Sequence, residues 1–530
     1  VATRQGTVGL PKEHEIDAAE IDAVVFDLDG VITRTESVHH ASWEQLFDEY
    51  LEGRSAALDE PFEPFQPPDY LEFVDGRPRY DGVDSFLKSR NIHLPWGSAE
   101  DLPEAETVCG LGNRKNGYFL NRLNTDGVEA YDTSVAFVRE LQRQGIETAL
   151  ISSSRNVTEV LSAAGLLDLF AVRIDGIVAG ELGIPGKPDP AVFLEAASRV
   201  GADPANSAIV EDAQSGVEAG KAGGFRIVIG VDRGDQAEEL SAGGATVVVS
   251  DLGELSVKPV PPVQRAELPS AADHFDEIEA VLGTSDPAVF LDYDGVLTPI
   301  VEHPDLAVLS DETRQVLDDL ASVVTVAVVS GRDVADVRGK VQVPGIYYAG
   351  SHGFDIISPS GEPVVDERLD RFSTYLAPLD TATEQLEDRL RDVPGAQVER
   401  KRFAIAVHYR RVADTDYPLV EEAVRATAPA VPSLRVATGK KIFEFQPDFD
   451  WDKGQAMRWL IGELGLDRQS VTPIYLGDDT TDEDAFRVIR KRGIGIVVGR
   501  EGEPSLARFA LEDTGEVTSF LARITGAHKP

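Results

Sequence analysis

Phe290-Leu291-Asp292-Tyr293-Asp294-Gly295-Val296-Leu297-Thr298-Pro299-Ile300 has a near twin earlier in the chain, Phe26-Asp27-Leu28-Asp29-Gly30-Val31-Ile32-Thr33. In each copy an apolar run, Ala288 to Leu291 or Ala23 to Phe26, reads as a buried parallel strand. Two carboxylates follow where it ends, and glycine makes the turn. Side chains two apart on a strand share a face, so each aspartate pair is directed at one site. A single Asp-x-Asp-Gly also admits the plainer reading of a polar loop after a strand. Two copies, each followed by apolar residues and a threonine at matching offsets, point instead to a nucleophile with a general acid and base, sharing a divalent cation that offsets the repulsion of a phosphate.

At 530 residues the chain is too long for one hydrophobic core, so two or three domains are expected. A hydrophobic content of 42% is ordinary for a globular protein, whereas 92 acidic against 50 basic residues give a net charge of −42. That balance argues against nucleic acid and anionic membranes as partners. Cys109 stands alone, which excludes an intrachain disulfide. No run approaches the ~18 apolar residues of a membrane helix, and the first twenty residues have no secretory pattern. The expectation is a cytoplasmic enzyme acting on small molecules.

Residues 1–20 read as a loosely docked tail. Strands and helices then alternate, and each polar cluster follows a strand: Asp27 and Asp29, then Ser152 to Asn156 after Thr148–Ile151, then Glu211-Asp212 after Ala208–Val210. Lys187 stands in a loop, Gly186-Lys187-Pro188-Asp189-Pro190. Polar residues at the carboxyl ends of strands mark the ligand edge of an open parallel sheet. Gly110 and Gly112 imitate a dinucleotide loop, but no strand precedes them. A proline-rich stretch over 252–272 reads as an interdomain linker. Beyond it the plan repeats, with Ser330-Gly331-Arg332 after Val323–Val329, Lys453-Gly454, and Gly477-Asp478-Asp479 after Pro473–Leu476. Alternating residues over Gln397–Arg410 and Arg435–Phe445 read as antiparallel strands of an inserted cap.

Each half thus supplies paired aspartates, a hydroxyl, a lysine and a second acidic cluster in one order. Phosphoryl transfer through a carboxylate needs these parts, because an ionised aspartate repels phosphate unless cations stand beside it. In this pattern both halves resemble the haloacid dehalogenase superfamily. The second half, over about 273–530, resembles trehalose-6-phosphate phosphatases in Asp292–Ile300, Ser330-Gly331-Arg332, Gly350-Ser351-His352-Gly353 and the run from Gly477 to Phe486. The resemblance implies Asp292 as nucleophile, Asp294 as acid and base, Ser330 on the phosphoryl group and Lys453 as counter-cation. It implies Mg2+ held by Asp292, Asp294, Asp478 and Asp482. It places Arg332, His352, Glu399, Lys401, His408, Arg410, Lys440 and Glu444 on the substrate, and it implies an α+β cap over about 360–447. Gln446 departs from the arginine common in that family.

The first half, over about 21–251 with a helical cap at about 34–125, resembles β-phosphoglucomutase. The matching pieces are Asp27–Thr33 with Thr35, His39 and Trp43, Gly76 with Arg79, Arg114-Lys115-Asn116, Ser152–Asn156, Lys187 and Glu211-Asp212. By that resemblance Asp27 carries the phosphoryl group and Asp29 moves the proton, with Ser152 and Lys187 neutralising and positioning it. Mg2+ is held by Asp27, Asp29, Glu211 and Asp212, and Arg79, Lys115 and Asn116 grip the substrate. Arg34 and Arg155 depart from the family pattern.

The fold expectation is α/β, two Rossmann-like haloacid dehalogenase cores with parallel sheets. The function expectation is Mg2+-dependent hydrolysis of trehalose 6-phosphate in the second half, fused to a β-phosphoglucomutase-like first half. For that first half, a general sugar phosphatase and a noncatalytic docking module stay open as alternatives.

Overall fold

A computed structural model of the chain describes residues 14–529 apart from 59, 60, 62, 76, 302, 303, 365, 366, 440, 449, 450 and 467–469. The chain divides into two compact units, Val1–Val260 and Pro261–Pro530.

In the first unit β1 (Glu15–Asp17) leads to β2 (Ala23–Asp27), followed by β3 (Glu147–Ile151), β4 (Val172–Ile174), β5 (Ser207–Glu211), β6 (Ile227–Val231), β7 (Val247–Val249) and β8 (Ser256–Lys258). Six of these form a sheet in the order β4-β3-β2-β5-β6-β7, with every pairing parallel. All five residues of β2 are buried. Val24 and Phe26 enter the core on one face, and Ala23 and Val25 the core on the other. Two covered faces are why this strand reads as a continuous apolar run rather than an alternation. From β2 the chain runs outward on one side through β3 and β4 and then returns to the other side of β2 through β5, β6 and β7, so the carboxyl end of β2 is a topological switch point.

The expected tail and linker are partly ordered structure. β1 pairs in parallel with β8, Ile16 opposite Val257, and Ile16 and Ile21 are buried. A three-residue strand with one inward side chain leaves no periodicity to read. Residues 1–13 lie outside the described residues.

The helices Glu36–Leu58, Arg79–Ser89 and Val108–Asp126, with a π-helical turn at Tyr70–Val74, form an insertion between β2 and β3. Its own core is aromatic, with Phe47 and Phe86 centroids 4.0 Å apart and Trp43 stacked on Phe47. Gly110 and Gly112 lie inside its last helix. Its two connections to the sheet pair with each other, Arg34 N–H donating to the Glu129 carbonyl (2.8 Å) and Tyr131 N–H to that of Ile32 (2.9 Å).

The second unit repeats the plan with β9 (Asp286–Leu291), β10 (Thr325–Val329), β11 (Tyr347–Gly350) and β12 (Asp355–Ile357). After the insertion come β17 (Val471–Gly477), β18 (Ile494–Val498) and β19 (Phe509–Leu511). The order is β12-β11-β10-β9-β17-β18-β19, parallel except for β12 on β11. Val289 and Leu291 of β9 face one core, and Ala288 and Phe290 the other. The insertion holds β13 (Gln397–Lys401), β14 (Ala404–His408), β15 (Leu434–Gly439) and β16 (Ile442–Pro447), antiparallel in the order β13-β14-β16-β15. Leu379, Leu386, Ile405, Val407 and Phe445 pack between this sheet and its helices. The remainder of the expected linker belongs to this unit. Val263 exchanges two backbone hydrogen bonds with Ser505, and Ala271 N–H donates to Ala510.

Candidate active sites

Each central strand delivers a buried aspartate, Asp27 as the last residue of β2 and Asp292 immediately after β9. Gly30 and Gly295 then turn the chain with φ of +77° and +78°. At both positions a Cβ would collide with a carboxylate, that of Asp212 and that of Asp478 respectively. Glycine is therefore needed twice over, for the left-handed backbone and for the acidic loop packed against it.

The same lysine bridge recurs in both units. Lys187 Nζ donates to Asp27 Oδ1 (2.5 Å) and to Glu211 Oε1, and Lys453 Nζ donates to Asp292 Oδ2 (2.8 Å) and Asp482 Oδ1 (2.6 Å). The free oxygen of Glu211 accepts from the N–H groups of Asp212 and Ala213, each at 2.9 Å. That of Asp482 accepts from Asp478 and Asp479, also at 2.9 Å. Glu211 and Asp482 thus do one job from different places in their loops. Asp482 further accepts from Tyr475 Oη at 2.6 Å.

Two carboxylate clusters result, Asp27 with Glu211 and Asp212, and Asp292 with Asp478 and Asp482. Within each, one oxygen per residue lies within 4.8 Å of the others. One lysine does not balance three carboxylates. Burial, then the charges of Asp292 and Asp482, push Asp478 up to about 8, and burial pushes Asp292 to about 7 despite Lys453. Asp27 and Asp212 are likewise raised well above the usual carboxylate range, first by burial. An all-oxygen, over-acidic cradle fits a hard divalent cation such as Mg2+.

Asp29 and Asp294, expected among the metal ligands, place their side chains elsewhere. Asp29 accepts from Thr35 Oγ1 and from Ser152 Oγ (3.1 Å), with His39 Nε2 3.6 Å away. Burial works to raise its pKa, yet these donors and the His39 charge hold it at about 2. Asp294 is gripped at both oxygens by Arg332, Nε at 2.6 Å and Nη2 at 2.8 Å. Each stands two residues beyond the buried aspartate of its strand. Arg332 is correspondingly engaged by Asp294 and by Asp336 (2.8 Å) rather than open to substrate.

In the first unit a cavity of about 140 Å³ lies over Asp27 and Asp29, with Arg79, Lys115, Asn116 and Arg155 among its lining. Among the described residues Arg79 and Arg155 have no carboxylate partner. Lys115 Nζ is 2.7 Å from His39 Nδ1, and burial, then the Arg79 charge, lowers its pKa to about 7. His39 is also lowered, by burial and then by Lys115, and its ring stacks on Phe119. It therefore stands between the cap lysine and the core aspartate Asp29. Asn116 accepts from Asn156 at 2.7 Å, and Gly76 lies outside the described residues.

In the second unit Lys401 reaches from the inserted sheet to the Gly331 carbonyl and to Glu444, both at 3.2 Å. His408 pairs with Glu399 at 2.8 Å, and Gln446 donates to the other oxygen of Glu444 at 2.7 Å. Ser330 is buried just after β10, the strand beside β9, its Oγ accepting from Arg332 N–H at 3.2 Å. Arg410 is exposed, beyond the end of β14, and among the described residues joins no such cluster. Lys440 and the His352 side chain lie outside what the structure describes.

Three site residues had no motif to announce them: Tyr475, Arg233 and Arg265. Arg233 Nε donates to the Gly30 carbonyl (2.8 Å), and its guanidinium covers the Tyr131 ring at 3.7 Å. Arg265 Nη1 donates to the Asp478 carbonyl at 2.9 Å. A lone arginine in a loop carries no spacing signal. Tyr475, in a fully buried strand, reads as core.

Residues 290–514 match the trehalose-phosphatase family model, and residues 21–224 the haloacid dehalogenase-like hydrolase model. A Mycobacterium tuberculosis protein named as an uncharacterized glycosyl hydrolase is 42% identical over 515 residues, 96% of this chain and 38% of that protein. The chain therefore spans well under half the length of the first curated relatives it matches. A trehalose-phosphate phosphatase of Mycobacterium leprae is 38% identical over 408 residues, 74% of this chain and 92% of the relative. The crystal structure of a β-phosphoglucomutase from Clostridium difficile is 24% identical, covering 44% of this chain and 93% of its own, with a TM-score of 0.36.

Proposed function

The chain belongs to the trehalose-phosphate phosphatase family, and from this we propose that its second unit hydrolyses trehalose 6-phosphate to trehalose and inorganic phosphate through an aspartyl phosphate on Asp292. The observation that carries this reading is the buried Asp292 held between Lys453 and the Tyr293 N–H (2.7 Å), at the switch point of the sheet. These two donors fix the carboxylate so that an oxygen is presented to phosphorus without reorganisation.

Asp292, Asp478 and Asp482 would hold Mg2+, which when bound supplies positive charge against the phosphoryl oxygens. Attack by an Asp292 oxygen forms the new O–P bond while the bond from phosphorus to the sugar oxygen breaks. Asp294 gives its proton to that departing oxygen, then takes one from the water that attacks the aspartyl phosphate. Phosphate leaves, and Asp292 returns as carboxylate. Arg332 must loosen its double grip before Asp294 can carry a proton, and an arriving phosphate dianion competes for the same guanidinium. Ser330 Oγ binds a phosphoryl oxygen, and Glu399, Lys401, His408 and Glu444 meet the sugar hydroxyls.

For the first unit we propose interconversion of β-glucose 1-phosphate and glucose 6-phosphate, with Asp27 as phosphoryl carrier and Asp29 as proton carrier. Supporting it, the cavity is lined both by Lys187 with the acidic cluster and by Arg79, Lys115 and Arg155, the cationic complement that a sugar carrying two phosphates requires. Mg2+ would be held there by Asp27, Glu211 and Asp212.

Incubating the full chain with trehalose 6-phosphate and Mg2+ should release phosphate, and Asp292→Asn should stop it while Asp27→Asn leaves it intact. Near wild-type turnover in Asp292→Asn overturns the assignment. With β-glucose 1-phosphate and a trace of glucose 1,6-bisphosphate, glucose 6-phosphate supports the mutase reading. Free phosphate would mean a sugar phosphatase, and no product a docking module.

A further inference from the structure

Arg265 lies in the stretch that joins the two repeats in sequence, far from any catalytic motif. Its side chain is nonetheless buried. Nη1 donates to the Asp478 carbonyl (2.9 Å) and Nε to the Glu503 carbonyl (3.0 Å). The Asp478 carbonyl and the Asp479 N–H belong to one peptide plane, and that N–H donates to Asp482 Oδ2. The plane is thus gripped at both ends, by a cation on the carbonyl and a carboxylate on the N–H.

The support for Arg265 is itself anchored. Val263 and Ser505 exchange backbone hydrogen bonds at 2.8 Å in both directions, and Glu483, next to Asp482, feels the Arg265 charge while accepting from Leu506 N–H at 2.7 Å. Nothing about this arrangement serves the hydrophobic core, where an apolar side chain would pack without needing two carbonyl partners.

We propose that Arg265 is a positioning residue for the cation site of the second unit. It fixes the Asp478–Asp479 peptide so that the Asp478 carboxylate stays aimed at the cradle it forms with Asp292 and Asp482. The segment 261–272 is on this view a working part of the phosphatase rather than a tether. Arg265 touches neither substrate nor the reacting atoms.

The proposal rests on the reading of Asp292, Asp478 and Asp482 as a Mg2+ site. The test uses the full chain carrying Asp212→Asn, which removes a carboxylate of the first cluster. Mg2+ affinity is measured by calorimetry, and the Mg2+ dependence of phosphate release from trehalose 6-phosphate is measured alongside. Arg265→Met should weaken Mg2+ binding about 10-fold, in the range for groups that orient metal ligands, while kcat at saturating Mg2+ and KM for the sugar change little. Arg265→Lys, which retains a charge but reaches one carbonyl, should recover part of the loss, and it serves if Arg265→Met does not fold. Asp478→Asn is the reference. If it weakens Mg2+ binding and neither Arg265 variant does, Arg265 is structural only and the proposal is overturned. If Asp478→Asn has no effect either, the metal reading itself has failed.

Discussion

Lys453 Nζ and Asp482 Oδ1 are 2.6 Å apart, with both side chains almost wholly removed from solvent. The charge of the lysine is what allows Asp482 and Asp292 to share one buried pocket. Lys453→Met would strand both carboxylates, and breaking a buried pair from one side costs about 3–5 kcal/mol. Urea unfolding followed by tryptophan fluorescence should show the loss in the second unit, with phosphate release abolished. An unchanged midpoint would mean that the bridge contributes nothing to folding. Lys453→Arg should not restore activity, because a planar fork cannot replace a compact ammonium between these two oxygens.

Asp294 should be separable from Asp292 by what accumulates. A general acid and base contributes about 10² to 10⁴ in rate. Asp294→Asn should therefore slow turnover by that order while still allowing Asp292 to be phosphorylated. Acid-quenched samples should show phosphate attached to Asp292 in this variant and none in Asp292→Asn. Equal labelling of the two would contradict the division of roles.

Mg2+ binding in the second unit should be linked to protons. Without the cation, burial and its acidic neighbours hold Asp478 at about 8, so at pH 7 the group keeps a proton that an arriving cation must displace. Affinity should rise as pH increases toward 8 and flatten above it, with proton release visible as a buffer-dependent binding enthalpy. A pH-independent affinity between 6 and 8 would rule this out.

Lys115 gives a stability prediction of definite sign. Burial, then Arg79, lower it from 10.5 to about 7 in the folded chain, so between these values the unfolded chain binds a proton the folded one lacks. Its contribution is unfavourable at and below about pH 7 and is relieved as pH rises toward 10.5. Lys115→Met should raise the melting temperature of the first unit at pH 7, by less at pH 9, and should stop its turnover. Destabilisation at pH 7 would show that the pairing with His39 outweighs burial.

The sheet and the buried aspartates at the ends of its central strands were legible because those strands are buried on both faces: Ala23 to Phe26 and Ala288 to Leu291 leave one interpretation. The lysines were legible because in a chain poor in lysine Lys187 lies just ahead of a helix and Lys453 opens one. Asp482 was harder to weigh, since its importance comes from Lys453, Tyr475 and two backbone N–H groups that converge only in three dimensions. Asp29 and Asp294 were placed on the cation because neighbouring carboxylates look alike in sequence, and only Thr35, Ser152 and Arg332 distinguish them. Arg265 was hidden for the same reason. A proline-rich stretch has no period, so its one inward-facing cation could not be told from solvated ones.

The parallel pairing of β1 with β8 sets residues 15–17 beside residues 256–258. Because adjacent strands run about 4.8 Å apart, the first unit takes in its backbone and lets it out at nearly the same spot. Wiring of that kind makes a detachable cassette: a short peptide bridge could close it into a ring that is then reopened at another surface loop. The same economy explains how a module can be spliced ahead of another without either sheet having to give up a strand.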